Sequence, residues 1–416
     1  MLRIFNAYTH ELDDPRKAVL EILESLDIKN NLLKNSVALL FCHAQFIENG
    51  VAKAVYDSLP FDVVGCTSQY FGLLENAGAP AVEGGTLLTV TILTSDDIDF
   101  ATGVSDPLNL KNVEDCIHDL YRRTASSSGE SLAGPSVEPP ALAFAFPPTM
   151  TSVPADVIAG VLDRACGGIP VFGSVALDVH SYIRQPQTIY KTAGQDAGKD
   201  AGQTSGESGT FNNRITLLLF RGRVKPRFFH SSFPEKSKMP WDAVITEAAG
   251  NRIISINNKP ALFFIKDMGF FPDGIDDTVL VYPLVVEYPN NETHVVVIQD
   301  IDSERHLICS RNVQAGGILN IGAIAADSVI ESARAIAREL KENDSGAGFI
   351  MFSCFLRNIV LGGNAQAEFE SVCKELDGYT GSWLFLNSGG ELCPGYTENG
   401  ELVNRFHQFA LIACQF

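Results

Sequence analysis

Gly348-Phe-Ile-Met-Phe-Ser-Cys354-Phe-Leu-Arg357 and Trp383-Leu-Phe-Leu-Asn387-Ser388-Gly389-Gly390-Glu391 carry the reading of this chain. Each is an apolar run of strand length that stops abruptly in small, polar or charged residues. Such continuous runs fit strands buried on both faces. In open α/β sheets the crevice that binds ligands lies at such strand ends. Between the two runs, Ala365 to Leu376 reads as a helix, and an apolar stretch from Arg405 to Cys414 closes the segment. The unit is strand, helix, strand with a small-residue break, then strand.

Two earlier segments repeat this plan. In the first, Val37 to Cys42 is a strand and Ile47 to Leu59 a helix. The strand Asp62-Val-Val-Gly65 then breaks into Cys66-Thr67-Ser68, and Gly84-Gly85 leads into a strand from Thr86 to Leu93. In the second, Ala141 to Phe146 is a strand stopped by Pro147-Pro148, and Val153 to Cys166 a helix with a proline near its first turn. The strand Pro170-Val-Phe-Gly173 breaks at Ser174, and Arg214 to Phe220 closes the segment. Such recurrence points to duplicated supersecondary units stacked into larger sheets.

Phe233 to Pro240 reads as a join between halves. After it, Ala243 to Ile265 reads as two short strands around an Asn257-Asn258 turn, with Pro260 near the start of a helix. Tyr282 to Val286, Thr293 to Gln299 and His306 to Ser310 alternate like an antiparallel set, and Asp327 to Leu340 is an amphipathic helix. Thr124 to Pro140 and Thr192 to Gly209, rich in small and polar residues, read as surface loops. The expected fold is α/β: mixed β-sheets flanked by helices, layered helix–sheet–sheet–helix, with internal repeats. Two lobes are expected, 1–235 and 240–416, since single cores stop growing near ~250–300 residues.

A chain of 416 residues with 45% hydrophobic and 19% charged residues has globular composition. Its net charge of −19 argues against a nucleic-acid partner. Nine scattered cysteines, none in C-x-x-C spacing, fit a reducing compartment and hence a cytoplasmic location. The polar N-terminus does not read as a signal peptide, and no apolar run reaches the ~18 residues of a membrane span.

Candidate ligand contacts sit at the breaks. Hydroxyls and backbone N–H groups of Cys66, Thr67 and Ser68, and of Gly173 and Ser174, can hold an anionic or polar group, or can simply close turns. Asn387, Ser388, Gly390 and Glu391 combine close backbone approach with a carboxylate that can accept an ammonium or hydroxyl. Arg357 is a natural partner for a carboxylate, and equally for an ion pair with Glu368 or Glu391. Cys354 beside it reads as core filler or as a nucleophile, the latter only with a base such as His407 or His43 nearby. Asp178-x-His180 offers two ligands, too few for a metal site. The glycines from Gly194 to Gly206 and from Gly316 to Gly322 lack the strand-to-helix context of a phosphate cradle, so no cofactor is expected.

Taken in order, these motifs resemble the FIST sensory domain family along residues 5 to 416. Gly65-Cys66-Thr67-Ser68 stands at the family's glycine-cysteine-serine-threonine turn. Gly250-Asn251-Arg252 with Pro260-Ala261-Leu262 is similar to the opening of its C-terminal part. Ser353-Cys354, Arg357, Glu368, Gly390-Glu391 and Pro394 resemble its closing signature. The resemblance implies FIST N-terminal-like and C-terminal-like domains at 1–235 and 240–416. It implies a free-standing, non-catalytic signal-transduction module binding a small polar metabolite, with amino acids or their derivatives favoured. Two positions depart from the pattern. Gln69-Tyr70-Phe71 replaces the usual alanine-glycine-glutamate, and Val295 to Ile298 lacks a nearby arginine. Two alternatives stand beside this reading: a cysteine-dependent hydrolase or transferase using Cys354 or Cys66, and a protein-interaction adapter whose partner the residues do not specify.

Overall fold

Three parallel strand pairs anchor the structure: Asn35–Cys42 with Val63–Thr67, Pro140–Phe146 with Val171–Ser174, and Gly348–Cys354 with Ser382–Ser388. Parallel neighbours need a crossover, here helical in every case. The crossovers are Ala44–Glu48 with Val51–Ser58, then Ala155–Cys166, then Phe355–Val360 with Ala365–Glu375. Each first strand also pairs antiparallel with a closing strand, respectively Leu88–Ser95, Thr216–Gly222 and Leu411–Gln415. The repeated unit read from the sequence is therefore present three times. The computed structural model describes residues 2–74, 86–127, 138–150, 152–177, 186–193, 208–231, 235–267, 269, 283–289, 293–343, 347–362, 364–397 and 399–416. Gly84-Gly85, Asp178, His180, Tyr282 and most of the two expected surface loops lie outside the described residues.

At each break the chain leaves its own sheet and adds a strand to another. Gln69–Leu74 pairs with Ser382–Ser388 of the third unit. Thr188–Lys191 pairs with Val63–Thr67 of the first, and Glu391–Tyr396 with Val171–Ser174 of the second. The opposite edges follow the same cycle. Ile98–Val104 borders the second unit's closing strand, Arg227–His230 the third's, and Arg3–Thr9 the first's. All three sheets therefore run entering, closing, first, second and donated strand, with Gly209–Phe211 and Leu402–His407 appended to two of them.

The inner faces of the three sheets share one apolar core. At its centre Phe41, Phe146 and Phe352 meet in pairs, with ring centroids 5.4, 5.8 and 6.5 Å apart and near edge-to-face, the arrangement aromatic quadrupoles favour. Helices cover the outer faces, so the expected helix–sheet–sheet–helix layering closes around three sheets. Pro15–Leu26 is one of them. Asp14 accepts from the N–H groups of Arg16 and Lys17 to start it, and Ala18, Ile22 and Leu26 recur every fourth residue to bury one stripe. Val113–Ser126 and Ala326–Glu342 occupy the same place in units two and three.

Only the third unit carries a large insertion between its entering strand and this helix. Lys238–Gly322 contributes a separate antiparallel sheet with its own core. Asn257 and Asn258, at φ 49° and 60°, make the expected tight turn between Arg252–Ile256 and Lys259–Pro260, and the helix Ala261–Asp267 follows. One expectation is corrected. Arg405 to Cys414 is two strands rather than one, because the chain turns at Gln408–Ala410. Leu402–His407 joins the second sheet, and Leu411–Gln415 closes the third. Among the described residues no helix is long and apolar enough to cross a membrane.

The step from Gln415 to Arg3 thus repeats the step from Ser95 to Ile98 within the cycle. A circular permutant joining Phe416 to Met1 through a short flexible linker, opened at the exposed Gly167-Gly168 turn, is expected to unfold cooperatively near the parent's midpoint in thermal denaturation. Aggregation, or a broad non-cooperative melt, is the outcome that contradicts this topology.

Candidate functional site

The three breaks meet one another. The N–H of Leu177 donates to the Thr67 carbonyl at 2.9 Å, and that of Gly389 to the Val175 carbonyl at 3.0 Å. Gln69 lies opposite Asn387 in the third such contact. The Ser68 hydroxyl donates to the Asn387 carbonyl at 2.5 Å, the Cys66 sulfur lies 4.0 Å from the Ser174 carbonyl, and the Val175 N–H reaches the Gly390 carbonyl at 2.9 Å. Thr67 Oγ1 accepts from the Gln187 N–H at 3.0 Å. The structure therefore brings Cys66, Thr67, Ser68, Ser174, Asn387, Ser388 and Glu391 into one buried junction.

Two glycines are required there. A Cβ on Gly173 would fall 1.9 Å from the carbonyl oxygen of Ala145, its parallel neighbour. Gly390 adopts φ +145°, and a Cβ on it would lie 2.5 Å from the Phe406 ring. At both positions close strand packing excludes a side chain.

The third corner carries most of the chemistry. The Ser388 hydroxyl is in contact with Glu391 Oε1 and lies 3.2 Å from the Ser353 carbonyl. One hydroxyl has one hydrogen. Both contacts are satisfied if the Glu391 carboxyl donates to Ser388 and Ser388 donates to Ser353. Complete burial supports that protonation, pushing Glu391 well above the usual carboxylate range against the opposing effects of Ser388 and Arg357. Its Oε2 is then a buried acceptor without a hydrogen-bond partner. Asn387 donates to the Ser353 carbonyl at 3.3 Å, and its Oδ1 is likewise buried and unpartnered.

Arg357 backs this corner. At 3% exposure it reaches Glu368 Oε1 through Nε at 2.9 Å and Nη2 at 2.6 Å, while Ser353 Oγ donates to Glu368 Oε2 at 2.8 Å. Its other N–H groups go to the Val329 carbonyl and Ser332 Oγ, both at 3.0 Å, and to Ser231 Oγ and the Phe409 carbonyl, both at 3.4 Å. Of the partners open to Arg357 in the sequence, Glu368 is the one engaged. Ser231 and Phe409 were not legible there, because long-range antiparallel pairing within the third sheet brings them in.

The cysteines here are held as thiols. Burial pushes up both Cys66 and Cys354, and the Glu391 carboxyl adds to the effect at Cys354. His407 donates through Nε2 to the Cys393 carbonyl at 3.2 Å, and burial together with neighbouring His230 lowers it to about 4. The His43 ring accepts from the Gln45 N–H at 3.4 Å and caps the helix Ala44–Glu48. Among the described residues no cluster of three metal-binding side chains occurs. An open cleft of about 430 Å³ is lined by other residues, including Tyr8, His10, Glu11, Lys17 and Glu21. Its charges pair among themselves, Lys17 with Glu11 at 2.6 Å, and Thr9 Oγ1 donates to Glu21 at 2.5 Å.

Two predictions follow from these pairings. Arg357→Ala leaves the Glu368 carboxylate buried without its partner and is expected to cost about 3–5 kcal/mol in urea unfolding. The double variant Arg357→Met/Glu368→Leu should lose less, and a double loss equal to the sum of the singles would exclude the coupled pair. His407, neutral when folded at pH 7, takes up a proton on unfolding between about pH 4 and 6.5. Stability of the parent should therefore fall more steeply than that of His407→Gln as pH drops through that window, as read from chemical-denaturation midpoints.

The FIST N domain model matches residues 36–259 and the FIST C domain model residues 266–394. No curated protein matches the chain. The crystal structure of cyanuic acid hydrolase from A. caulinodans aligns with 100% of this chain and 98% of that one, at 8% identity and a TM-score of 0.32, a likeness too weak to carry an argument. On the two domain matches, which together span most of its length, the chain belongs to the FIST family, whose domains are thought to be sensory signalling modules.

Proposed function

We propose that the protein is a non-catalytic sensor that binds a small polar metabolite, an amino acid or derivative, where the three strand ends meet. The observation that carries this reading is the convergence of Ser68, Ser174, Ser388 and Glu391 at a buried junction that leaves Glu391 Oε2 and Asn387 Oδ1 without partners. Native proteins rarely leave buried acceptors unpaired, and such an exception calls for a functional explanation. The matching ligand group is a donor: an ammonium, an amide N–H or a hydroxyl. Arg357, occupied by Glu368, then positions the corner. Binding that favours one arrangement of the sheets over another would signal to a partner by shifting populations.

The thiolate needed by a cysteine-dependent enzyme is disfavoured by the burial of Cys66 and Cys354. Thermal-shift screening against amino acids, their amides and simple amines tests the proposal. At 100-fold excess over its Kd a true ligand stabilises by about 2.7 kcal/mol, and Glu391→Gln should weaken that response at least several-fold. Absence of any shift across the series counts against the sensor reading. Rapid labelling of Cys66 or Cys354 by iodoacetamide at pH 7 would instead favour the enzyme.

A further inference from the structure

The insertion lies in the same unit that carries Glu391, Arg357 and Glu368. Units one and two make the corresponding connection with short segments, Thr9 to Pro15 and Val104 to Val113. The inserted sheet also touches the candidate site through one turn, Gln408-Phe409-Ala410. On the insertion's side, Val295 and Val297 pack against Phe409, with Ile324, Leu356 and Val360 around them. Ser310 Oγ donates to Gln408 Oε1 at 2.6 Å and accepts from the Val297 N–H at 3.0 Å. On the site's side, the Ala410 carbonyl accepts from the Cys354 N–H at 2.9 Å, and the Phe409 carbonyl accepts from Arg357 at 3.4 Å.

The turn between them is strained. Phe409 holds φ at +57°, a left-handed conformation that a bulky side chain rarely adopts and that persists only where its surroundings enforce it. Its ring packs with Val295 and Val297 of the insertion, in a cluster completed by Ile324, Leu356 and Val360. Movement of the insertion would weaken that support and release the turn, and with it the backbone contacts to Cys354 and Arg357. Conversely, a change at Glu391 would reach Ala410 through Ser388 and the Ser353–Cys354 backbone and load the Phe409 contact. The turn is thus an element that both sides can bias, which coupling between sites requires.

We propose that the inserted sheet, residues 238–322, is the element that reads the state of the Glu391 corner, coupled to it through the left-handed turn at Phe409. This rests on the sensor reading for its purpose, but the coupling can be tested without a ligand. In the full chain, Ser310→Ala and Val297→Ala should each raise the labelling rate of Cys354 by iodoacetamide about threefold or more. Labelling of Cys66 and Cys166, read in the same peptide maps, should not change. In the opposite direction, Glu391→Gln should alter amide hydrogen exchange across residues 295–310. Unchanged Cys354 labelling overturns the proposal, and so does equal acceleration of all buried thiols, which marks general destabilisation. A failed ligand screen bears on the sensor reading alone and leaves the labelling outcome as the test of coupling.

Discussion

Phe41, Phe146 and Phe352 fix the position of every other part of the junction. Phe41 lies opposite Cys66 in its parallel pair and Phe352 opposite Leu386, while Phe146 stands one residue beyond Ala145, the neighbour of Gly173. Each phenylalanine is thus the last large inward side chain of its unit's first strand, level with the end of the second strand where the break lies. Where the three rings meet, the three breaks must also meet. Truncating one such fully buried ring typically costs about 3–5 kcal/mol. Here a truncation would also loosen the contact of two sheets with the third, since each ring touches the other two. Cyclic exchange of donated strands enforces the same geometry from the backbone, so no sheet can form completely without residues from another unit.

The two kinds of constraint differ in how far the sequence reveals them. Runs such as Phe349 to Phe352 and Leu142 to Phe146 are apolar throughout because both faces are covered, and that pattern is local. The breaks at Ser68, Ser174 and Ser388 are local too, marked by the change from apolar to hydroxyl residues. The fate of the chain after each break is not. Gln69–Leu74 finds its partner more than three hundred residues away, and nothing in its composition names the third sheet over the first. The turn at Gln408–Ala410 escaped for a similar reason. Phe409 is apolar and reads as strand, and its left-handed backbone comes from tertiary contacts with Val295 and Val297.

Repetition of the backbone did not preserve the chemistry. Two residues past the positions beside the phenylalanines stand Ser68, Ala176 and Ser388. The first spends its hydroxyl on the Asn387 carbonyl of the third unit, and the second has none to spend. Three residues further on stand Phe71, Val179 and Glu391, so only the third has an acid at that position, and the Arg357–Glu368 pair lies behind it. A near-symmetric frame with one specialised corner reconciles three equivalent breaks with a single candidate site.

Glu391 makes that specialisation costly, and the cost is informative. A fully buried carboxyl that remained ionised would need compensating cations, yet the nearest guanidinium is committed to Glu368. Protonation removes most of the penalty and leaves a neutral acid whose hydroxyl is satisfied through Ser388 and whose second oxygen is not. Apolar packing would be more stable at this position than a half-satisfied acid, because an unmet buried acceptor costs about 1–3 kcal/mol. The neighbouring positions show that the fold permits it: Leu392 and Cys393 on the same strand are buried and largely apolar. A protein that gives up that stability where three sheets meet, beside the Phe409 turn that the inserted sheet touches, has placed a half-satisfied group where a small displacement can be passed on.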